Sequence, residues 1–553
     1  MVEQIRYPLG PGRRLSRPVK VGSLTIGGNN PIVLQSMITA SATDPKRALA
    51  QISALDRAGC QLIRLSIPHQ KELEATGNLR RLMTEEGIDR PLVADVHFVP
   101  QLAIDACEFF EKVRINPGNF SDRPKNSRPS LDNFAVGRER LKEALIPLAL
   151  AAKKYGRALR VGVNQGSLSE RMMAQFGDSP IGMVASALEA VDLLEDLGIL
   201  DLVVSLKSSN PLTVQKAYRL LDQMREPKEP LALHIGVTEA GEGLMGRAKS
   251  LVGIGPLLVD GLGDTIRVSL TEPSEHEIEY GGQLLAALPP QCPPSTSYWT
   301  RPLAQNRVGN AVVNLGEVTL GGTSPLAIIA EIGLNKNPQL VPDITVQQGA
   351  EGFEIEGHLL KVYPSPIPLP EAWVLDHPSP LFTLRAFYAQ LGPSPCPIGL
   401  LVSNCALNSL FTQIQIAGVL AEGLVDFLVI QAGLNIKEQT LLAYLLQATR
   451  ARIFMTDYIA CPSCSRTLFD LEETTAKIKA QTRHLKGVKI GIMGCIVNGP
   501  GEMADADFGY VGSGLGKIDL YLGQNRVSRG LDEAEAVPAL LALIKTEGRW
   551  VEP

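Results

Sequence analysis

The chain has 553 residues, of which 45% are hydrophobic and 20% are charged, and its formal net charge is −5. This length accommodates about three domains of ordinary size, and the composition is that of a globular protein. The acidic balance excludes a generally basic surface for nucleic acid or membrane, so an anionic ligand would need a local cluster of Arg and Lys.

The sequence predicts no targeting segment and no membrane span. No apolar run reaches the roughly 18 residues that a transmembrane helix needs, and the N-terminal residues have neither an apolar signal core nor transit-peptide character. Eight cysteines in so long a chain do not form a secreted disulfide framework. We therefore expect a cytoplasmic protein.

From residue 31 to about residue 287, β-rich apolar runs alternate with amphipathic helical stretches. Eight β/α units in this span match the number and size of a TIM (β/α)8 barrel, and they favour it over an open doubly wound sheet. The predicted helices include 45–58, 180–197 and 243–258. The predicted strands are 31–37, 61–67, 91–98, 112–117, 159–165, 201–207, 231–237 and 265–270.

Polar side chains collect where these strands end, which is the end of a barrel that carries the active site. The guanidinium group fits phosphate oxygens in geometry as well as in charge, so the cationic members predict a small phosphorylated ligand. Salt bridges at the rim are the competing interpretation, which is stronger for one arginine than for the whole set. The cations are Arg64, Arg114, Arg160, Lys207 and Arg267, and the other polar residues are Asp95, His97, Asn116, Asn164, Ser205, His234, Thr238, Glu239 and Ser269.

A proline-rich break at 288–294 marks the end of the first domain, which we predict to span 1–294. The next region, 295–447, begins with a strand-like run at 312–320. Its segment 416–429 matches 254–267 at a constant offset of 162, with five identities in fourteen positions. This weak repeat predicts a degenerate second copy of part of the barrel. Because Val429 stands where the first copy has Arg267, we predict an architectural role.

The last domain, predicted over 448–553, alternates helix-like and strand-like segments. A helix is expected at 471–485, a strand at 488–494, a strand pair near 517–523 and a terminal helix at 533–548. This order predicts a small α+β module.

Three cysteines and one carboxylate lie close together in that module. Cys461 and Cys464 form a CxxC motif, Cys495 ends the strand at 488–494, and Glu502 follows the turn that begins at Asn498. Three thiolates and one more labile ligand suit an iron–sulfur cluster that must also react with a substrate. Zinc and thioredoxin-like chemistry are the alternatives. Zinc would call for another Cys or His, and the module has a single histidine, His484.

The runs 492–511 and 458–470 resemble the family of 4-hydroxy-3-methylbut-2-en-1-yl diphosphate synthases, the cluster enzymes of the methylerythritol phosphate route to isoprenoids. The final residues, 548–553, resemble the plant and chlamydial branch, which carries an extra domain between barrel and cluster module. The resemblance covers the whole chain and is strongest in its last hundred residues. The segment 35–44 departs from the usual Thr-rich form of its loop, so no role is assigned there.

This resemblance implies reductive opening and dehydration of 2-C-methyl-D-erythritol 2,4-cyclodiphosphate, with two electrons from ferredoxin or flavodoxin. It implies a [4Fe–4S] cluster held by Cys461, Cys464, Cys495 and Glu502. It places Asp95, Thr238 and Glu239 near the reacting carbons, with Glu239 as a candidate proton donor, and Asn498 on the cluster side. It assigns the diphosphate to Arg64, Arg114, Arg160, Asn164, Lys207, Arg267 and Ser269.

Two rival functions share parts of this evidence. A barrel transferase of the pterin-binding type would use the same phosphate-binding mouth beside a structural metal module. A cluster-based sensor would use the barrel as a docking scaffold, which does not explain cations spread over so many strand ends. The sequence leaves open whether the chain acts alone or as a homodimer, and whether the cluster module closes on its own barrel.

Overall fold

The computed structural model describes residues 3–97, 99–120, 134–290, 293–315, 318–334, 337–349, 352–355, 358–363, 372–461, 467–496, 503 and 505–552. Two compact units are present. The barrel unit comprises Leu15–Gly246, Gly263–Gln283 and Thr456–Pro553, and the insert unit comprises Met1–Arg14, Arg247–Leu262 and Leu284–Met455. Across the described ranges, no helix is both long and apolar enough to cross a membrane.

Strands and helices alternate through the first part of the chain. The helices are α1 (Pro45–Arg57), α2 (Gln70–Glu85), α3 (Pro100–Phe109), α4 (Pro117–Phe120), α5 (Phe134–Tyr155), α6 (Glu170–Phe176), α7 (Pro180–Asp196), α8 (Pro211–Arg225), α9 (Gly243–Val259) and α10 (Ser274–Ala286). The strands are β1 (Gln4–Pro8), β2 (Val19–Val21), β3 (Leu24–Ile26), β4 (Val33–Met37), β5 (Leu62–Ser66), β6 (Leu92–Asp95), β7 (Lys112–Ile115), β8 (Ala158–Asn164), β9 (Leu202–Lys207), β10 (Ala232–Ile235) and β11 (Thr265–Ile266).

Strands β4 to β11 form a closed parallel barrel in chain order, with β11 pairing β4 to close the ring. The predicted TIM barrel is therefore confirmed. Its helices begin where side chains can bind free backbone N–H groups: Asp44, Ser179 and Asn210 each accept such a hydrogen bond immediately before a proline at the first helical turn.

The hairpin β2–β3 seals the N-terminal end of the barrel. Its apolar side chains Val19, Val21 and Ile26 are fully buried. They pack against the first inward-facing residues of the barrel strands, which include Val33, Leu62, Val93, Ala158, Val203 and Ala232. Ligands therefore have access to the interior from the opposite end.

A second closed sheet of seven strands occupies the insert unit, with two antiparallel pairings among parallel ones. The helices of this region are α11 (Pro380–Leu391), α12 (Asn404–Asn408), α13 (Leu410–Ala421) and α14 (Ile436–Ala448). Its strands are β12 (Tyr298–Pro302), β13 (Val313–Leu315), β14 (Val318–Leu320), β15 (Ala327–Glu331), β16 (Ile344–Gln348), β17 (Gly352–Ile355), β18 (His358–Tyr363), β19 (Trp373–Leu375), β20 (Ile398–Val402) and β21 (Phe427–Ile430), of which β15 to β21 form the closed sheet.

The repeat detected in the sequence corresponds to equivalent helix–strand connections. Asp264 exchanges backbone and side-chain hydrogen bonds with Leu233, at 2.9 Å (to Leu233 O) and 2.8 Å (from Leu233 N). At the offset of 162, Asp426 makes the same pair of bonds with Ile398, at 2.8 and 2.9 Å. Each aspartate thus joins the start of the last strand of its barrel to the preceding strand. The predicted barrel-like second copy is confirmed.

The C-terminal module contains a five-stranded sheet in the order β22-β23-β24-β25-β26, parallel over its first three strands and antiparallel thereafter. Two helices complete it, much as the sequence predicts. The elements are β22 (Asp457–Ala460), α15 (Leu471–Thr482), β23 (Lys489–Met493), β24 (Phe508–Gly514), β25 (Lys517–Leu522), β26 (Asn525–Asp532) and α16 (Glu533–Thr546).

Candidate active site

The interior of the first barrel is polar above its apolar base, where many such barrels are filled by branched apolar residues. Alternate residues of each strand face inward, so β5, β7, β8 and β9 carry cationic side chains into one space. Arg114 and Arg160 are 1% exposed, and Lys207 and Arg267 are also buried. The structure thus brings the predicted cations together and places Asn164 and Ser269 at the same end.

Asp95 is the anionic center of this group. Its carboxylate accepts hydrogen bonds from Arg64 Nη2 at 2.5 Å, from Arg114 Nη1 at 3.2 Å and from His97 Nε2 at 2.9 Å. Burial acts to raise the pKa of Asp95, but Arg64, His97 and Arg114 outweigh it and hold that pKa well below the ordinary value. Asp95 is therefore a carboxylate that orients two guanidinium groups.

Arg114 is further held from β8. Its Nη2 donates to the carbonyl of Gly162 at 2.9 Å and to Asn164 Oδ1 at 3.2 Å. A Cβ atom at Gly162 would lie 2.4 Å from Arg114 Nε and 3.2 Å from Ser205 Oγ. Glycine at this position is therefore what leaves room for the guanidinium group.

Arg267 is positioned by Glu277 of α10, a residue that the sequence argument missed. Arg267 Nε and Nη2 each donate to this carboxylate at 3.1 Å, and Ser36 Oγ donates to it at 2.6 Å. Burial acts to lower the pKa of Arg267, but Glu277 outweighs it and raises that pKa, so the guanidinium group stays positively charged. The signal that could have found Glu277 is weak, because one glutamate on an amphipathic helix has no distinctive spacing.

Thr238 and Glu239 lie on the loop that follows β10. Glu239 is 3% exposed and has a positive φ of 50°, which is uncommon for a residue other than glycine and typical of functional loops. Nearby, a Cβ atom at Gly236 would lie 2.4 Å from Lys207 Nζ and 2.3 Å from the carbonyl oxygen of Arg267. The Gly236 backbone, the Lys207 amine and the Glu239 carboxylate therefore lie close together at one side of the mouth.

The C-terminal module contacts this mouth within the barrel unit. Ala240 pairs with Ala460 as an isolated parallel bridge, one residue beyond Glu239 and one residue before Cys461. Glu242 Oε1 accepts a hydrogen bond from Lys479 Nζ of α15 at 2.7 Å. The module thus lies on the barrel of its own chain, at the end where Thr238 and Glu239 lie.

Cys461 and Cys495 follow the adjacent parallel strands β22 and β23, so both leave the sheet at the same edge. The backbone N–H of Gly494 donates to Cys461 Sγ at 3.2 Å. Hydrogen bonds of this kind tune the potential of iron–sulfur clusters. The other predicted residues of this region, Cys464, Asn498 and Glu502, lie outside the described residues.

The surroundings of Cys461 suit a buried metal–sulfur group. Its side chain packs against apolar residues that include Met503, which is fully buried. Cβ atoms at Gly491 and Gly509 would lie 2.7 Å from Met503 Cβ and 2.5 Å from its Sδ, so two glycines make space for it. Among the described residues no three His, Cys, Asp or Glu side chains form a metal group. The two thiols at one sheet edge, with an N–H donor and an apolar wall, fit an iron–sulfur cluster.

His484 does not support the zinc alternative. It follows α15, at the edge of the sheet opposite to the strand ends that carry Cys461 and Cys495. Its Nε2 lies 2.7 Å from the carbonyl oxygen of Val551, and its ring packs edge-on against Trp550 at 5.2 Å between centroids.

Two family models match this chain: the GcpE TIM-barrel domain over residues 16–282 and the GcpE protein C-terminal domain over residues 457–546. Curated relatives named 4-hydroxy-3-methylbut-2-en-1-yl diphosphate synthase (flavodoxin) match nearly end to end. That of Leptospira interrogans is 37% identical over 99% of this chain and 98% of its own. Those of Akkermansia muciniphila and Chlamydia felis are 38% and 37% identical over 98% of both chains.

This chain belongs to the GcpE family. The family resemblance expected from the cysteine motif is therefore confirmed. Residues 283–456 of this GcpE chain lie between the two family models and contain the second barrel. The relatives from Leptospira, Akkermansia and Chlamydia align over nearly their full length, so they share this extra region.

Proposed function

We propose that this GcpE chain opens 2-C-methyl-D-erythritol 2,4-cyclodiphosphate reductively and dehydrates it to 4-hydroxy-3-methylbut-2-enyl diphosphate, a precursor of isoprenoids. The reaction breaks one carbon–oxygen bond to phosphate, releases one hydroxyl as water, and takes up two electrons. The observation that carries the proposal is the packing of the module with Cys461 and Cys495 on the mouth of a barrel lined with buried arginines.

The diphosphate group is held by the cationic interior. Arg64 and Arg114 are aligned by Asp95, and Arg267 by Glu277, so their remaining N–H groups are fixed before the ligand arrives. Fixed donors bind charge that is already present without the cost of reorganisation. The proposed diphosphate ligands are Arg64, Arg114, Arg160, Asn164, Lys207, Arg267 and Ser269.

Glu239 carries the proton that leaves with the hydroxyl as water. Its loop lies between the arginines and Cys461, because Ala240 pairs with Ala460. Glu239 is buried, and it lies close enough to Lys207 to act to raise the pKa of that lysine. This position suits proton transfer away from bulk water. Asp95, Thr238 and Asn498 are the proposed companions near the reacting carbons.

A [4Fe–4S] cluster would be held by Cys461, Cys464, Cys495 and Glu502. When bound, it would supply single electrons and Lewis-acid chemistry next to the substrate. Gly494 stabilises the thiolate of Cys461 through its N–H group. The apolar wall that includes Met503 keeps water from that side.

Flavodoxin is the proposed electron donor, because the relatives named above carry it in their names. Ferredoxin, a small iron–sulfur electron carrier, remains the alternative donor. A cytoplasmic location follows from the need to keep the thiols reduced.

We also propose three domains, 1–294, 295–447 and 448–553, and no role for nucleic acid or membrane. The chain would act without a partner's barrel, because its own cluster module already meets its own mouth.

The test is anaerobic purification followed by iron and sulfide analysis, a visible spectrum and turnover with reduced flavodoxin. We expect about four irons and four sulfides per chain, and turnover of the cyclodiphosphate. Glu502→Ala should lose most of its iron while keeping its circular dichroism spectrum, whereas Glu473→Ala, on the exposed side of α15, should keep both. A colourless zinc protein without turnover would overturn the proposal, and full iron content in Glu502→Ala would overturn the ligand assignment.

A further inference from the structure

A second group of polar side chains lies in the interior of the first barrel, level with the arginines aligned by Asp95 or below them: Arg160 pairs in register with Arg114, and Lys112 precedes Arg114 by two residues on β7. Lys112 opens β7, Arg160 lies on β8, and His234 lies on β10, each at an inward-facing position. Lys112 and His234 have no exposed surface, and Arg160 is 1% exposed. Lys112 carries no sequence signal that predicts a site residue, whereas His234 is among the polar residues predicted at the strand ends.

Several of these groups lack partners although they are buried. Within the described residues, which include every strand of this barrel, Lys112 Nζ, Arg160 Nη1 and both ring nitrogens of His234 make no hydrogen bond. Arg160 is held by its Nε, which donates to Ser205 Oγ at 2.9 Å. Buried donors are normally paired. Lys112 Nζ and Arg160 Nη1 are unpaired donors, and the neutral ring of His234 adds one donor and one acceptor, so this space suits a ligand that accepts several hydrogen bonds.

The charge of this space points to an anion. Burial, together with Arg160 and Arg64, lowers the pKa of Lys112 well below its ordinary value. Burial, followed by Lys207, Arg160, Lys112 and Arg64, does the same to His234. The carboxylates of the interior, Asp95, Glu239 and Glu277, do not restore either pKa, and Glu277 is already bound to Arg267. Positive charge therefore exceeds negative charge here.

The remaining strands bring no further anion to Lys112. β6 contributes Asp95, which is shared by Arg64 and Arg114, while β4 and β11 contribute the neutral pair of Gln35 and Thr265, joined at 2.7 Å. A diphosphate group has the charge and the number of acceptor oxygens that this space requires. A neutral ligand would leave the excess of positive charge unchanged.

We propose that Lys112 and His234 form the floor of the diphosphate pocket, where Lys112 Nζ and Arg160 Nη1 donate to the deepest phosphate oxygens. This inference rests on the proposed function and deepens it. Lys112 takes one proton from the solvent as the diphosphate binds, because the anion stabilises its ammonium form. Affinity should therefore fall as the pH rises above the pKa that Lys112 has without ligand.

The experiment measures binding of inorganic diphosphate to the cluster-loaded protein by titration calorimetry, in two buffers with different ionisation enthalpies. Wild-type protein should take up a proton on binding. Lys112→Met should bind at least tenfold more weakly and take up less proton than wild type, with an unchanged cluster spectrum. It should also melt at a higher temperature without ligand, since an unpaired buried amine is replaced by an apolar side chain of similar size. The control Lys228→Met, at an exposed lysine paired with Asp192, should match wild type.

A purely structural role for Lys112 predicts a different pattern, namely a lower melting temperature with unchanged affinity and proton uptake, and that result would overturn the proposal. If Lys112→Met does not fold, diphosphate binding is measured for His234→Asn instead. The proposal predicts weaker binding by this variant, and wild-type affinity would contradict it. The two proposals can fail independently. If the protein binds diphosphate with proton uptake but does not turn over the cyclodiphosphate, the proposed reaction is overturned while the role of Lys112 and His234 in diphosphate binding is retained.

Discussion

At the scale of single residues, the mouth of the barrel depends on small side chains as much as on charged ones. Arg114 reaches Asp95 and Asn164 because Gly162 leaves its path open, and Lys207 lies against Gly236. A pattern of arginines at strand ends predicts the charge of such a site. The glycines decide where those charges point.

Gly162→Ala should weaken substrate binding with little effect on the cluster. The new methyl group would overlap Arg114 Nε, whose guanidinium group is held in place by the Gly162 carbonyl, Asn164 and Asp95, and overpacking of this kind costs about 1–3 kcal/mol. We expect KM for the cyclodiphosphate to rise by about tenfold, the equivalent of roughly 1.4 kcal/mol. Steady-state kinetics check this.

A matched control for that variant is Gly77→Ala. Gly77 lies on α2, and a Cβ atom there would meet only Phe109 Cε1 at 3.9 Å, an ordinary contact. It should leave KM unchanged and leave stability unchanged or slightly raised. Equal kinetics of Gly162→Ala and Gly77→Ala would refute the role assigned to Gly162.

At the scale of elements, the site is formed where two sets of parallel strands end. β10 and β22 each end close to the isolated bridge between Ala240 and Ala460, which places the Glu239 loop beside the residue that precedes Cys461. Helix α15 adds the ion pair from Lys479 to Glu242. Ion pairs and isolated bridges such as these are contacts that a module can break and remake as substrate enters and product leaves.

Reversal of the charge on α15 should therefore slow turnover modestly. Lys479 and Glu242 are partly exposed, with 25% and 34% of their side chains accessible, so the pair contributes on the order of 0.2–1 kcal/mol. We expect Lys479→Glu to lower kcat about twofold to fivefold at unchanged iron content. Combining it with Glu242→Lys should restore most of the loss.

Lys477→Glu is the control for this charge reversal. Lys477 lies two residues away on α15 and pairs with Glu473 of the same helix. Its substitution should not alter kcat. A failure of the double swap to recover activity, or an equal loss in Lys477→Glu, would show that the pair does not hold the module to the barrel.

At the scale of the whole molecule, the cations crowded inside the unliganded barrel reduce the stability of the fold, and an anionic ligand should offset this effect. The pKa values of Lys112, Lys207 and His234 are all lowered, first by burial and then by neighbouring cations. In each case the unfolded chain binds more protons than the folded one. Stability without ligand should therefore fall as the pH drops below about 6.5 for the histidine, and rise from neutral pH towards alkaline pH for the lysines.

Inorganic diphosphate should stabilise the protein most at low pH. At about one hundred times its dissociation constant a ligand contributes roughly 2.7 kcal/mol, and affinity here should decrease as the pH rises. Calorimetric melting between about pH 6 and pH 9, with one diphosphate concentration throughout, should show an increase in melting temperature that shrinks with pH. An increase that does not depend on pH would contradict the coupling of binding to protonation.

The pattern of apolar residues along the chain predicts the class and the order of the fold. Strand-like runs at 31–37 through 265–270 predict the eight strands β4 to β11, because each is an apolar segment of strand length between helix signals. The repeat at an offset of 162 predicts the second barrel through one aspartate per copy. The cysteine motif determined the family, since three thiols with this spacing are rare outside metal chemistry.

Which of the polar residues act together depends on how distant parts of the chain pack in three dimensions. Lys112 opens a strand without any distinctive spacing, Glu277 lies on a helix, and Lys479 and Glu242 are 237 residues apart. Closure of the barrel brings side chains from separate strands into one low-dielectric space, where pairing and charge depend on neighbours that are distant along the chain. Local patterns report which face of an element is buried, but not which charges meet there.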